Sequence, residues 1–366
     1  MLGDYGKVVT GNTPPTKDIE NYENGTYLWA SPADLGTHKL ISETKTKLSS
    51  KGFTKTRPLS KGSVLVTCIG STIGKTGMAT REMSTNQQIN SIVVNENNDN
   101  EFVYYVVQSA FPHYLSSIAV QAVPIISKSS FELLPSKRPS LQEQNKIGIF
   151  LSLLDERIST QHRLIEDLKK LRCAIVEKMF KQSKANGRLG DFIEQVSVRN
   201  KNGLYSNVLS VSNKQGFVKQ SEQFEDRTVA SEDTSNYKIV KRNNFAYNPA
   251  RINVGSIARL TKFDVGIVSP MYVCFRTKAS IIPEYMEAFF TSQQFFYEMM
   301  KRLEGSVRLC LSYEGLCNIP VYITDMNKQI AMGQNISLIL SKIGLEIEYL
   351  GRLHQQKQYL LRKMFI

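Results

Sequence analysis

The feature that most constrains this sequence is a repeat that runs through its whole length. Leu2-Gly3-Asp4 opens the first half, and Leu189-Gly190-Asp191 opens the second. The halves close on Lys178-Met179-Phe180 and Lys363-Met364-Phe365, at nearly the same spacing as the two openings. Solenoid repeats recur every ~20–50 residues, so a repeat that takes up half of the chain indicates a whole domain with its helix, copied once.

Each half ends in a segment with coiled-coil spacing. In the first copy, apolar residues recur three and four apart over four heptads, with Gln161 and Arg172 at two seam positions. These apolar residues are Leu151, Leu154, Ile158, Ile165, Leu168, Ile175 and Met179. The second seam is predicted at Ile336, Leu340, Ile343, Ile347, Leu350, Lys357, Leu361 and Met364, interrupted by Gly333, Gly344 and Gly351. Ser140 and Asp325 are the predicted N-caps.

Because each helix leaves its own domain at its start, we expect the two helices to pair antiparallel. The alternative is that each helix packs only on its own domain.

The segments before the helices have short strands and single helices, which predicts an α+β fold for each. Strands are predicted at residues 64–69, 89–94, 244–247 and 271–275, and helices at 101–115 and 283–300. The sequence thus divides into a first domain at 1–140, a helix at 141–186, a second domain at 187–324 and a helix at 325–366.

Composition narrows the classes of protein and site. The net charge is +13 and the pI is about 9.4, which suits a nucleic-acid partner, although many bacterial proteins are mildly basic. The five cysteines form no CxxC pair and the four histidines are scattered, so neither a disulfide framework nor a metal site is expected. No apolar run is long enough to span a membrane, and the N-terminus lacks signal-peptide features. The expected compartment is therefore the cytoplasm.

Two motifs resemble those of enzymes but are incomplete. Gly70-Ser71-Thr72-Ile73-Gly74-Lys75 follows a predicted strand, but a Walker A loop needs four residues between its glycines and this loop has three. Asn12-Thr13-Pro14-Pro15 and Asn248-Pro249-Ala250 resemble the Asn-Pro-Pro-aromatic loop of amino-methyltransferases, but neither has both the Pro-Pro pair and the aromatic residue. We expect no catalytic residues in this chain.

The same loops contain the candidate DNA-binding residues. Around residues 67–75, backbone amides and Lys75 can hold a phosphate, with Thr67, Ser71 and Thr72 alongside. Asn86 and Gln88 carry amides suited to adenine, although a structural role is the preferred interpretation for both. The second copy offers Arg251, Asn253, Ser256 and Arg259. For Lys75 and Arg251, phosphate binding and a plain turn remain equally supported.

Four motifs in order resemble the type I restriction-modification specificity subunits. They are Gly62–Thr67 with Gly70–Lys75 and Thr85–Ile89, then Pro139–Ile147 running into the helix, then Tyr247–Ser256, then Gly266–Tyr272. The resemblance covers nearly the whole chain in the order domain, helix, domain, helix. Two departures are the start at Leu2 without the leader that many members carry, and the three glycines that make the second helix less regular.

The resemblance implies a non-catalytic subunit. Two target-recognition domains related by a pseudo-twofold would lie at the ends of an antiparallel coiled coil, each reading one half of a bipartite site in double-stranded DNA. The coiled coil would set the spacer and dock two methyltransferase subunits, to which restriction subunits bind. S-adenosylmethionine, Mg and ATP would belong to these partners. The competing hypotheses are a coiled-coil scaffold without DNA readout and a stand-alone methyltransferase or nucleotidase.

Overall fold

The computed structural model describes residues 1–118, 125–181, 184–213, 215–223, 233–306 and 308–365. These residues form two compact units: unit 1 is Met1–His162 with Tyr349–Ile366, and unit 2 is Arg163–Glu348. The division of the sequence into four segments stays a prediction, since the compact units are cut within the long helices. Residues 182–183 and 366 of the predicted helical segments lie outside the described residues.

Unit 1 is built on a five-stranded sheet and a three-stranded sheet. Its strands are β1 (Gly6–Thr10), β2 (Tyr27–Ala30), β3 (Leu40–Ile41), β4 (Thr46–Leu48), β5 (Val64–Thr67), β6 (Thr76–Ala79), β7 (Ser84–Thr85) and β8 (Ile89–Val94). The larger sheet has the order β1-β8-β5-β6-β3 and the smaller one β4-β2-β7. Its short helices are α1 (Ser50–Thr54), α2 (Asn100–Ile118) and α3 (Lys128–Glu132), with 3-10 turns at Leu2–Tyr5, Ile19–Asn21 and Pro32–Asp34.

The first long helix, α4 (Leu141–Lys181), leads into the second half. Unit 2 contains β9 (Gly187–Arg188), β10 (Ile193–Gln195), β11 (Val208–Ser212), β12 (Gly216–Lys219), β13 (Lys238–Lys241), β14 (Phe245–Tyr247), β15 (Ile257–Arg259), β16 (Val265–Val268), β17 (Val273–Thr277) and β18 (Pro320–Val321). Its helices are α5 (Leu189–Phe192), α6 (Gln220–Gln223), α7 (Pro283–Phe290), α8 (Gln293–Met300) and α9 (Tyr313–Cys317), with a 3-10 turn at Pro249–Val254. The second long helix is α10 (Met326–Met364).

The two units repeat one sheet order. Strands β10-β17-β14-β15 of unit 2 follow the order β1-β8-β5-β6 of unit 1, and all these neighbours are antiparallel. A parallel strand pair recurs in the accompanying sheet, as β2 with β7 and as β11 with β16. The predicted α+β class and the internal duplication are thereby confirmed at the level of strand order.

Alternating side chains place a core on each face of the main sheet. In unit 1, Val64 and Val66 pack with α2 and α3, while Leu65 between them packs against the smaller sheet. In unit 2, Phe245 packs with the helices, and Ala246 packs on the other side. The helix layer therefore covers one face of each main sheet, and the accompanying sheet covers the other face.

Both predicted long helices exist and start at the predicted caps. The backbone N–H of Glu143 donates to Ser140 Oγ at 3.3 Å, and that of Lys328 donates to Asp325 Oδ1 at 3.0 Å. The predicted helix at 283–300 is instead two helices, α7 and α8. The first helix ends at Phe290 with Thr291 as its C-cap, and Ser292 caps the second, because its hydroxyl accepts the N–H of Phe295 at 3.1 Å.

The long helices pair antiparallel in unit 1 and share an apolar core in unit 2. In unit 1, Lys357 forms an ion pair with Asp155 at 2.6 Å, and Leu353 packs on Leu154 and Ile158. The rings of His162 and His354 lie 5.8 Å apart, so partner numbers fall along α10 as they rise along α4. In unit 2, buried side chains of both helices share one apolar core, among them Val176, Met179 and Ile336.

The predicted second seam is wrong at two positions. Leu340 and Ile347 are exposed, whereas Glu346 and Leu353 are buried. The buried positions Ile343, Glu346 and Leu353 fall on a shifted stripe, in which the carboxylate of Glu346 pairs with Lys342 at 2.5 Å. A charged residue in the seam hid this register from an apolar count.

A buried glutamine anchors each long helix to its domain. The Oε1 atoms of Gln144 and Gln329 accept the backbone N–H groups of Asp99 and Ile282, just before α2 and α7. The Nε2 atoms donate to the carbonyl oxygens five residues earlier. The two glutamines have the same spacing as the Lys-Met-Phe motifs that close the halves, so this anchor belongs to the repeat.

Among the helices that the structure describes, none is long and apolar enough to cross a membrane.

Candidate nucleic-acid interface

Strand direction brings three loops of unit 1 to one end of its main sheet. β1 and β5 leave the sheet at Thr10 and Thr67, whereas β8 and β6 enter it at Ile89 and Thr76. Because neighbouring strands are antiparallel, residues 11–17, 68–75 and 86–88 lie together at that end. We call this surface the loop end of unit 1; α2 begins beyond the opposite end of the same sheet.

Close backbone contacts join these loops to each other. The N–H of Gly11 donates to Ile89 O at 3.1 Å, and the N–H of Asn12 donates to Thr85 O at 2.9 Å. A Cβ on Gly11 would lie 2.2 Å from Asn86 O, so only glycine permits this approach. Trp29 Nε1 donates to Asn12 O at 3.1 Å.

The loop at 68–75 folds back on its own strands. The N–H of Gly74 donates to Thr67 O, and the N–H of Thr67 donates to Lys75 O, both at 2.9 Å. Gly70 and Gly74 have φ values of +94° and +90°, a region that favours glycine. The N–H of Cys68 donates to Gln88 O at 2.7 Å and connects this loop to the one at 86–88. The backbone of the loop end is therefore well defined.

The predicted residues on these loops fall into two groups. Ser71 and Lys75 are exposed and Thr72 is partly exposed, whereas Thr67 and Asn86 are buried. Lys75 Nζ meets no carboxylate among the residues that the structure describes, and its stem passes over Gly36, where a Cβ would lie 3.0 Å from Lys75 Cγ. Lys75 is thus available to a phosphate.

Asn86 and Gln88 bond chiefly to each other. Asn86 Oδ1 accepts the N–H of Gln88 at 3.0 Å, and Asn86 Nδ2 donates to Gln88 Oε1 at 3.1 Å. This geometry favours the structural interpretation for Asn86. The hydroxyl of Thr67 is also buried and has no hydrogen-bond partner within the described ranges, while burial raises the pKa of the adjacent Cys68 thiol to about 12.

Unit 2 has an equivalent loop end. The connection at 248–256 joins β14 to β15 as 68–75 joins β5 to β6, and Gly255 has φ +90° two residues before its strand, as Gly74 does. Arg251 is exposed and contacts no carboxylate in the described part of the chain. Asn253 is partly exposed, and Ser256 is buried with its hydroxyl donating to Val211 O at 3.2 Å.

Arg259 lies at the other end of this sheet. It ends β15, where Arg259 Nε donates to Glu287 Oε2 at 2.9 Å and Nη1 donates to Asn243 Oδ1 at 3.0 Å. Glu284 also pairs with the guanidinium, whose side chain is 10% exposed. Burial raises the pKa of Glu287, and the positive charge of Arg259 opposes that rise. These contacts favour a structural role for Arg259.

Several residues at the loop ends were missed by the sequence motifs. In unit 1 the Thr13 hydroxyl donates to Gln87 Oε1, and Lys17 is exposed nearby in the chain. In unit 2 the loop after β10 exposes Arg199 and Lys201. Thr13, Lys17, Arg199 and Lys201 could have been found from their position in the repeat, because each follows the first main-sheet strand of its half. No three His, Cys, Asp or Glu side chains come together as a metal-binding group among the described residues.

Two α+β units with the same order of main-sheet strands and equivalent loop ends, each containing parts of both long helices, define a class of internally duplicated protein. Comparison with known families is specific: residues 1–170 match the model of the type I restriction modification DNA specificity domain. The resemblance drawn from the sequence motifs is therefore confirmed, and the first half of the chain carries this domain.

Two characterised relatives agree. The type I restriction enzyme MjaIX specificity subunit of Methanocaldococcus jannaschii is 28% identical over 185 residues, which cover 49% of this chain and 42% of the relative. The HindI specificity subunit of Haemophilus influenzae is 28% identical over 175 residues, covering 45% of this chain and 38% of the relative. Each match thus spans less than half the length of the relative.

Solved structures share the fold. A type I restriction-modification S subunit from M. genitalium superposes with a TM-score of 0.60 at 17% identity, covering 100% of this chain and 95% of that one. A chain from a study of complex assembly and conformational transition of the type I system gives a TM-score of 0.58 at 14% identity, covering 99% and 95%.

Proposed function

We propose that this chain is the DNA sequence-specificity subunit of a type I restriction-modification complex. The observation that carries the proposal is the equivalence of the two loop ends. Each contains a connection with an exposed cation, Lys75 or Arg251, and neither connection contains a carboxylate. Exposed cations on rigid loops suit phosphates, and different residues around them suit two different half-sites.

The remaining parts of the proposal follow from the family. Each unit reads one half of an asymmetric bipartite site, and the paired helices set the spacer and dock two methyltransferase subunits. Restriction subunits bind through that complex. The chain itself is non-catalytic and works in the cytoplasm, and S-adenosylmethionine, Mg and ATP are bound by its partners. The names of the relatives support the assignment of this chain as a specificity subunit of a type I restriction enzyme.

The test compares lysines at opposite ends of one strand. Lys75 follows β5 at the loop end, and Lys61 is an exposed lysine just before β5 at the other end. In complex with the methyltransferase subunits, Lys75→Ala should weaken DNA binding and reduce the slope of log affinity against log salt by about 0.9, the loss of one phosphate contact. Lys61→Ala should change neither quantity. Fluorescence anisotropy across a salt series measures both.

Equal effects of the two substitutions would contradict a phosphate contact at Lys75. Complexes that assemble with both partners but bind all duplexes equally would instead favour the coiled-coil scaffold without DNA readout.

A further inference from the structure

The loop end of unit 2 exposes several large aliphatic side chains. Four of them are between 52% and 75% exposed: Val198, Leu204, Val254 and Met271. Val198 and Leu204 follow β10, Val254 lies between β14 and β15, and Met271 precedes β17. Unit 1 exposes fewer such side chains near its loop end: Ile125, which pairs with Ile69, is 52% exposed, and Ile19, after residues 11–17, is 63% exposed.

Main-chain contacts hold these aliphatic residues on defined backbone. The N–H of Ile239 donates to Val198 O at 2.8 Å, and the N–H of Tyr272 donates to Ser269 O at 3.1 Å across Met271. The hydroxyl of Tyr272 accepts the N–H of Val211 at 3.3 Å. Val254 ends a 3-10 turn that Asn248 caps. The exposed side chains are thus presented by fixed loops.

The charge of these loops indicates which kind of partner binds over the exposed aliphatic side chains. Residues 196–207, 248–256 and 269–272 contain Arg199, Lys201 and Arg251 but no aspartate or glutamate. All three cations are exposed, and none contacts a carboxylate among the described residues. A surface that combines exposed arginine and lysine side chains with aliphatic side chains complements a groove of duplex DNA, where phosphates flank the apolar groups of the bases. The 5-methyl group of thymine is the apolar group that the major groove displays.

We infer that unit 2 recognises its half-site partly through thymine 5-methyl groups, contacted by the aliphatic side chains of its loop end, with Met271 and Val254 as the principal contacts. This inference rests on the proposed function. The loop end of unit 1 also exposes the hydroxyl and amide groups of Ser71 and Gln87, so the two loop ends present different side chains.

The test removes the methyl group from the DNA and the side chain from the protein. The half-site of unit 2 is first identified as the one whose sequence changes when residues 187–324 are exchanged for those of another specificity subunit. Uracil then replaces single thymines in that half-site. Each replacement removes one methyl group and keeps every base-pairing group. For the complex with wild-type chain, affinity should fall about fourfold at each contacted thymine, the value of one buried methyl group. With Met271→Ala or Val254→Ala, the same substitution should have no effect at the position that the side chain contacts.

Met326→Ala is the matched control, because Met326 is 37% exposed at the start of α10, which Gln329 anchors at Ile282, beyond the end of β17 opposite the loops. It should keep the full response to uracil. A half-site without any T·A pair, unchanged affinity at every uracil position, or the same uracil response in all variants would overturn the inference. So would variants that bind DNA normally but fail to assemble, since the surface would then face protein.

The outcomes separate the two levels. Sequence-selective binding without methyl dependence contradicts only this inference. Absence of selective binding by the wild-type complex contradicts the proposed function, and the inference falls with it.

Discussion

Arg251 and Arg259 lie eight residues apart, and the sequence motifs assigned both to DNA. In the structure the two guanidinium groups have different surroundings. Arg251 extends from the loop end without a carboxylate partner among the described residues, whereas Arg259 is enclosed by Glu284 and Glu287. The three-residue strand β15 lies between Arg251 in the loop and Arg259 at the opposite end of the sheet. The type of residue alone does not show where a strand ends, so the sequence could not separate the two roles.

The two arginines should respond differently to truncation. Arg259→Met leaves two carboxylates without their partner, so the free energy of unfolding should fall by about 1–3 kcal/mol, while DNA affinity of the folded complex stays unchanged. Arg251→Ala should weaken DNA binding with little change in stability. The control is Lys241→Ala, at an exposed position before the start of β14, whereas Arg251 follows its end; this substitution should change neither DNA binding nor stability. Urea denaturation and anisotropy measure these effects. Weaker DNA binding by stably folded Arg259→Met would contradict the structural role.

Glu287 gives the site a pH dependence of known sign. Burial raises its pKa, so the folded protein holds this proton more tightly than the unfolded chain. The contribution of Glu287 to stability is therefore fully present at low pH and is lost as pH rises through the folded-state pKa. The free energy of unfolding of wild type minus that of Glu287→Gln should fall as the pH rises above the ordinary glutamate pKa of about 4.3. If the difference instead grows with pH, pairing with Arg259 outweighs burial.

At the scale of elements, local patterns predicted most helices and strands. Residues 89–94 form a strand as predicted, and the long helix begins at Leu141, because periodicity and caps are local signals. Strand order was not predictable, since it depends on pairing between distant segments. The break between α7 and α8 was missed because Ser292 fits a helix interior as well as a cap.

The glycines of the second helix are not equivalent interruptions. Gly333 repeats Gly148 at the spacing that separates Gln329 from Gln144, and both glycines face the start of a domain helix. A Cβ on Gly148 would lie 2.4 Å from Asp99 Oδ1, and one on Gly333 would lie 2.8 Å from Glu284 Cβ. A Cβ on Gly344 or Gly351 would meet no other part of the described structure within 4 Å. Gly333 is therefore part of the anchor beside Gln329, and only the other two are open positions.

Alanine substitutions should separate these positions. Gly333→Ala forces α10 away from α7 and should lower the free energy of unfolding by about 1–3 kcal/mol. Gly344→Ala meets open space in an exposed helix and should raise it by up to about 1 kcal/mol, because alanine loses less backbone entropy. Urea denaturation of both variants against wild type is sufficient. A neutral Gly333→Ala would show that the close approach does not constrain the helix.

At the scale of the whole molecule, the repeat keeps its framework and varies its readers. Leu2 and Leu189 donate their N–H groups to Leu134 O and Ile319 O, each at 2.9 Å, and the two buried glutamines accept backbone N–H groups at equivalent positions, just before α2 and α7. The loop ends share strand order but differ in residues, with Lys75 in unit 1 and Arg251, Val254 and Met271 in unit 2. Recognition of an asymmetric site follows if each unit reads its own half.

The central claim, that each unit reads one half of a bipartite DNA site, is tested most directly by mapping DNA methylation in a host that expresses this chain with its methyltransferase. The account predicts one asymmetric motif of two short blocks with a fixed spacer. Replacing residues 187–324 by those of another specificity subunit should change one block and leave the other block unchanged. A change in both blocks, or methylation without sequence selectivity, would contradict it.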